Sequence, residues 1–278
     1  MKNLSRITPK GPKTYLLAIA AVILFLLLSC ATVPITERRT IHLVSDQELT
    51  ALSLQEYSKV LQQSKISHDP AKAQMVRNVG GRIAKATEGL LGEQGLGEDI
   101  QNYKWEFNLI EDDKTVNAWC MPGGKVVVYT GILPLAQNET GLAVVLGHEI
   151  AHAVAKHGNE RMSQGLLAQM GGVALSVALS TQPAAATDLF LQAYGLGSQV
   201  GFLLPYSRVQ EAEADRIGLT LMAKAGYDPR EAVPFWKRMN EKGGGRPPEF
   251  LSTHPAPETR IKEIEAHIPE AMKYYTVK

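Results

Sequence analysis

From Glu48 to Lys65 apolar residues recur every three to four positions, placing Leu49, Leu52, Tyr57, Val60 and Leu61 on one helical face and Leu54 off it. Ser45-Asp46-Gln47-Glu48 supplies the polar residues that start such a helix. A second helix is predicted from Asp69-Pro70 to about Leu90, with Met75, Val76, Val79, Ile83 and Ala86 on its buried face. Over residues 103–132 the period shortens to two. Tyr103–Ile110 alternates apolar and polar side chains, and Asn117–Cys120 and Lys125–Tyr129 read as two further strands around the turn Pro122-Gly123-Gly124. Helical periodicity then resumes. One helix is capped by Asn138 and runs to about His157, with Gly158 as its stop. Others are predicted over Ser207–Gly226, Arg230–Asn240 and about Pro257–Ile268, the last after a flexible loop at Gly243–Pro248. Residues 165–205 are rich in Gly, Ala, Leu and Val, but Pro183 and Pro205 interrupt them before an 18-residue apolar run can form. They read as packing beneath a site or as a contact with a membrane surface. The pattern predicts an α+β, mostly helical domain whose small sheet lies just before the helix over 139–157.

The first 29 residues follow another pattern. A basic stretch leads into the apolar run Tyr15–Leu28, the length of a signal-peptide core and short for a membrane span. It ends in Leu27-Leu28-Ser29-Cys30-Ala31, which resembles a bacterial lipobox and predicts cleavage before Cys30 with lipid on its thiol. An uncleaved signal anchor is the alternative. Both readings place the bulk of the chain across the cytoplasmic membrane, because the basic flank stays inside. Ala31 rather than aspartate follows the cysteine, and by resemblance to lipoprotein sorting in Gram-negative bacteria this implies the outer membrane, facing the periplasm. Residues 30–45 then read as a polar tether, 46–268 as the folded domain and 269–278 as a tail. Without Lys2, Arg6, Lys10 and Lys13 the chain carries 25 basic against 28 acidic side chains, a balance that excludes nucleic acid as a partner. With Cys30 lipidated, Cys120 has no partner within the chain and reads as a small core residue.

Inside the apolar helix lies His148-Glu149-Ile150-Ala151-His152. Burying such groups costs free energy unless something compensates. Positions i and i+4 share a helical face, so His148 and His152 can bind one cation. Glu149 projects about 100° from His148 and borders the same site. This H-E-x-x-H arrangement puts two histidines on zinc, with the glutamate as general base toward a metal-bound water. A third ligand is needed. His157 falls at the helix end on another face, and Gly158 stands six residues beyond His152, where metzincins carry histidine. A carboxylate remains. Glu211 and Asp215 are again i, i+4, and no other aspartate has a glutamate four residues before it. One of the pair can ligate while the other takes an imidazole N–H. Glu211 is the favoured ligand, and Glu213 is expected on the opposite face, toward solvent.

The segments HEIAH, Asn117-Ala118-Trp119, PGGKVVVYTGIL and EAEAD, in this spacing, resemble a family of zinc metallopeptidases. That family contains HtpX, the CAAX prenyl proteases and BepA, gluzincins grouped with thermolysin. With the lipobox, the chain is most similar to LoiP-type lipoprotein peptidases. The resemblance covers residues 40–268. It implies a mostly helical zincin fold and one zinc ion held by His148, His152 and Glu211. Glu149 becomes the catalytic base and Asp215 the outer partner of a ligand. Misfolded or damaged envelope proteins become the expected substrates, in protein quality control. A chaperone-like assembly factor with little or latent proteolysis is the alternative. In such folds a strand before the active-site helix pairs with substrate, and here Lys125–Tyr129 is the expected edge strand. Tyr206, Arg208 and His254 are candidates to stabilise the oxyanion. His254 follows the glycine-rich loop, so Ser252–Pro255 can form a plug that places His254 on the open position of the metal.

Overall fold

The computed structural model describes residues 30–180, 182, 184–199, 203–242, 248–255 and 258–276. The leader over residues 1–29 and most of the predicted glycine-rich loop, residues 243–247, lie outside the described residues.

Residues 30–45 do not form the expected tether. Strand β1 (Cys30–Thr32) pairs antiparallel with β2 (Arg39–Ile41), and Val33 and Thr40 are buried. Cys30 is exposed at the start of β1. Helix α1 (Asp46–Gln63) starts where Ser45 Oγ accepts from the Glu48 backbone N–H. Its buried positions are Leu49, Ser53 and Tyr57. Leu52, expected on that face, is 49% exposed, because the buried stripe advances four residues at a time through Ser53. Helix α2 (Pro70–Glu93) is capped by Asp69 and buries Val76, Val79, Ile83 and Ala86, as its period predicts. A short turn of helix, α3 (Gly97–Ile100), precedes the sheet.

The sheet comprises β3 (Glu106–Ile110), β4 (Ala118–Met121) and β5 (Lys125–Tyr129) in the order β3-β5-β4. β3 runs parallel to β5 with Glu106 opposite Lys125, and β4 runs antiparallel with Ala118 opposite Val128. β5 is therefore the central strand and not the edge. Its unbroken Val126-Val127-Val128 run, fully buried, is the pattern of a strand covered on both faces. The edge beside the active-site helix is β4. Cys120, on that edge, is half-buried rather than a core residue.

Helices α4 (Leu133–Ala136), α5 (Glu139–Val154), α6 (His157–Ala178), α7 (Ala184–Ser198) and α8 (Leu204–Lys224) follow. They lead to α9 (Ala232–Lys242), α10 (Glu249–Thr253) and α11 (Glu258–Ala271). Asn138 caps α5 by accepting from the Gly141 N–H at 3.0 Å. Every residue of α5 from Gly141 to Val154 is buried, held between β4, α2 and α8. α5 and α8 cross at two glycines. A Cβ on Gly147 would lie 2.9 Å from the Gly218 carbonyl oxygen, and one on Gly218 would lie 2.9 Å from the Gly147 carbonyl carbon. Only bare backbone permits this approach.

α5 ends one turn earlier than predicted. Lys156 adopts a left-handed conformation (φ 55°), with its ammonium on Asp46 at 2.8 Å and Asp99 at 2.9 Å. The chain reverses there, and Gly158 lies inside α6. At the other end the expected tail is in part structured. α11 continues to Ala271, which is buried, and Glu270 pairs with Arg216 at 2.8 Å. No helix among the described residues is long and apolar enough to cross a membrane.

Candidate active site

The α5–α8 crossing brings the two predicted pairs together. His148 Nε2 lies 3.1 Å from His152 Nε2 and 3.3 Å from Glu211 Oε2. His152 Nε2 is 3.3 Å from Glu211 Oε1. His254, just after α10, completes the group, its Nδ1 at 3.1 Å from His148 Nε2 and 2.9 Å from Glu211 Oε2. All four residues are buried. A tetrahedral ion with bonds of roughly 2.0–2.1 Å has ligand atoms about 3.3 Å apart. The observed spacings of 2.9–3.3 Å lie at or a little below that value.

The ring nitrogens facing away from this point carry the hydrogen bonds. His148 Nδ1 lies 3.0 Å from Asp215 Oδ1. A neutral imidazole donates from one nitrogen and accepts at the other, so a donor at Nδ1 leaves the Nε2 lone pair aimed at Glu211 and His152. Lone pairs and a carboxylate converging in a buried space call for positive charge, from a proton or a bound cation. Glu149 borders it. Its Oε1 is buried without a hydrogen-bond partner, 3.5 Å from His254 Nε2. These donors fit a divalent metal of the zinc type.

The electrostatics agree with that reading. Burial pushes the Glu149 carboxyl up from its ordinary value, only partly offset by His254 and His148. Glu211 is held far below the carboxylate range: burial opposes this, but His148, His152 and His254 outweigh it. With the protein's groups alone, His148 rises to about 9 against the opposing effect of burial, because Asp215 and Glu211 face it. The two carboxylates thus create a strong demand for positive charge at this point. Burial keeps His152 well below its ordinary value, in its unprotonated, ligating form.

One further residue, Arg260, escaped the sequence reading, and two others, His157 and Glu213, lie elsewhere than it expected. Arg260, on α11, donates to Asp215 through Nε (2.6 Å) and Nη2 (2.9 Å), lies 3.2 Å from Glu211, and sits over the Trp236 ring at 4.1 Å. Its Nη1 also donates to the Pro255 carbonyl, tying the His254 segment to the site. His157 is not on a remote face. The reversal at Lys156 brings its Nδ1 to 2.8 Å from His152 Nδ1. Glu213 is 6% exposed, not solvent-facing, and lies 2.9 Å from His157 Nε2. The remaining candidates are placed as follows. A cleft of about 650 Å³ opens beside Glu211, lined by Ser207, Arg208, Pro255 and Glu263. The Tyr206 side chain lies outside the described residues. Asn117, just before β4, holds Glu249 at 3.1 Å, and Val116 O accepts from Phe250 N, so α10 is moored to the sheet edge.

Residues 79–268 match peptidase family M48. The chain is 44% identical over 174 residues to the mitochondrial metalloendopeptidase OMA1 of Schizosaccharomyces pombe, covering 62% of this chain and 49% of that protein. It is 32% identical over 249 residues to the mitochondrial metalloendopeptidase OMA1 of Homo sapiens, covering 86% and 46%. The beta-barrel assembly-enhancing protease of Yersinia pestis is 29% identical over 201 residues, covering 70% and 39%. The chain thus spans about half the length, or less, of these relatives. The likeness to mitochondrial enzymes overturns the bacterial outer-membrane, periplasm-facing location expected from the lipobox-like stretch. A leader pattern reports only its own fourteen apolar residues, whereas the likeness runs through the folded domain. The HExxH helix, the carboxylate pair on α8 and the family match agree: the chain belongs to peptidase family M48.

Proposed function

We propose that the chain is a zinc-dependent endopeptidase that cleaves misfolded or damaged proteins, with His148, His152 and Glu211 as zinc ligands. The convergence of ligand atoms from His148, His152, Glu211 and His254 within 4.8 Å of one another, with Glu149 alongside, carries this reading. A bound zinc supplies Lewis acidity, making water easier to deprotonate and the scissile carbonyl more electrophilic. Glu149 Oε1, buried and unpaired, receives the proton of the attacking water and returns it to the departing amide nitrogen. Asp215 fixes the His148 ring by accepting from Nδ1. The open edge of β4 offers backbone groups to an extended peptide. Arg208, on the cleft wall, is the cation available to the developing oxyanion. His254 Nδ1, 3.1 Å from His148 Nε2 and 2.9 Å from Glu211 Oε2, would compete with water for a bound metal, so in this proposal the enzyme is latent until the Ser252–Pro255 plug withdraws. Attachment to a membrane through lipid on Cys30 belongs to the same proposal. The exposure of that residue supports it, and an intact mass of the isolated protein without the lipid increment would remove it.

The test measures bound zinc and casein cleavage in the wild type, Glu149→Gln and His254→Ala. Glu149→Gln keeps its zinc and loses roughly 10²–10⁴-fold in rate. His254→Ala keeps its zinc and cleaves faster than the wild type. A wild type that binds no zinc overturns the site. Zinc without cleavage in wild type and His254→Ala alike overturns the endopeptidase reading in favour of a chaperone-like one.

A further inference from the structure

His148 has an evident outer partner in Asp215. The corresponding partner of His152 is another histidine, and a histidine alone cannot dictate which nitrogen of its neighbour carries the proton. The contacts behind His157 settle the direction. His157 Nε2 meets Glu213 Oε2 at 2.9 Å, and an ionised carboxylate only accepts. Nε2 of His157 therefore carries the hydrogen, and its Nδ1 presents a lone pair. That lone pair, 2.8 Å from His152 Nδ1, makes His152 Nδ1 the donor. His152 Nε2 is then bare and points at His148 and Glu211. Reversing the chain of donors would put a proton on His152 Nε2, where a metal must bind, and a lone pair against the Glu213 carboxylate.

Glu213 is itself held from the N-terminal segment. Arg38 donates to Glu213 Oε2 from Nε (2.9 Å) and Nη2 (2.7 Å), and Thr36 donates to Oε1. The same guanidinium reaches Glu160 on α6 through Nη1 and Nη2, both at 2.7 Å. Glu160 also accepts from Gln210, the residue before Glu211, at 2.8 Å. Arg38 stands in the turn between β1 and β2. It thus joins a segment remote in sequence to both α6 and α8.

We propose that His157, Glu213 and Arg38 form a positioning relay that holds His152 in the tautomer and direction a bound zinc requires, so that the N-terminal segment is a working part of the metal site. The relay rests on the assignment of His148, His152 and Glu211 as ligands. None of its three members touches substrate. Its effect is on how tightly and in what geometry the metal is held.

The full chain is loaded with zinc and titrated with a competing chelator, and its cobalt(II) form is examined by visible absorption. His157→Leu, which removes both hydrogen bonds, weakens zinc about 10–100-fold and alters the cobalt d–d bands. His157→Gln, which offers an acceptor and a donor at similar reach, recovers affinity to within about threefold of the wild type. Arg38→Ala, on a side chain 21% exposed and outside the core, weakens zinc by about 3–10-fold without loss of the folded far-ultraviolet spectrum. Wild-type zinc affinity and cobalt spectra in His157→Leu and Arg38→Ala overturn the relay, as does a His157→Gln no better than His157→Leu. Should His157→Leu fail to fold, Arg38→Ala and His157→Gln decide. Failure of the wild type itself to bind zinc rejects the ligand assignment instead, so the two outcomes are distinct.

Discussion

His148 and His152 sit one turn apart on α5, yet the groups behind them differ in kind. Behind His148 stands a carboxylate, Asp215, clamped by two nitrogens of Arg260, whose guanidinium lies on Trp236. Every member of that arm is buried. Behind His152 the carboxylate is one residue further away, with His157 interposed, and its arginine sits on the N-terminal segment, partly exposed. Both arms run imidazole to carboxylate to arginine. One is rooted in the core and the other in a peripheral hairpin. A buried charge pair is strongly destabilising to break, because the remaining charge is stranded, whereas a partly exposed partner can be rehydrated. The core arm should therefore report on the stability of the whole fold, and the peripheral arm on the metal and on the attachment of residues 30–45.

Three measurements sharpen or break this contrast. Asp215→Ala removes the carboxylate that takes two hydrogen bonds from buried Arg260, leaving it Glu211 at 3.2 Å, and should lower the unfolding free energy by about 3–5 kcal/mol in urea titrations. An effect below that of Arg38→Ala would remove the distinction between the arms. Gly218→Ala tests what both arms depend on, the close crossing of α5 and α8. Its methyl group meets Gly147 backbone at 2.9 Å, and overpacking of this kind costs about 1–3 kcal/mol. A melting temperature equal to the wild type's would show that the helices separate freely.

Arg38→Ala should cost about 1–2 kcal/mol near neutral pH, and its pH dependence has a definite sign. Burial alone would raise Glu213, but His157, Arg38 and Thr36 together bring it from an ordinary 4.5 down to about 2. A depressed carboxylate contributes stability that is complete above its unfolded value and lost as pH falls through its folded one. The gap between wild type and Arg38→Ala is thus full above about pH 4.5 and closes toward pH 2. Glu160, also lowered by Arg38 against the effect of burial, acts in the same direction. A gap that widens on acidification would mean that Arg38 does not act through these carboxylates.

The two arms also differ in how far they could be read from the chain. The two carboxylates and two imidazoles around the His148 arm follow from local geometry, whereas Arg260, 45 positions from Asp215, does not. Four-residue spacing within one helix is enough to pair His148 with His152 and Glu211 with Asp215, and the latter pair supplies both a ligand candidate and an acceptor. The His152 arm carries no such signal. Its hydrogen bonds join residues 56 and 175 positions apart, and His157 reaches His152 only because Lys156 takes a left-handed conformation without glycine to announce it. The same reason explains the misread tether. Strands of three residues have no detectable period, and pairing together with the ion pairs of Arg38 hold them.

The sequence could therefore be read where a single helix or strand carries a clear period, cap or turn. That includes the periods of α1 and α2, the capped start of α5, three strands in order, the H-E-x-x-H face, and the Glu211 and Asp215 pair. Tertiary structure alone decided the rest. It placed β5 in the middle of the sheet and left β4 at its edge, because parallel pairing with β3 covers the most apolar strand. It crossed α5 and α8 at Gly147 and Gly218, where missing side chains let the backbones touch. It set His254 against Glu211 and His148, and Arg38 behind Glu213. Spacing along a helix sets which side chains share a face, but only the packing of helices sets which faces meet.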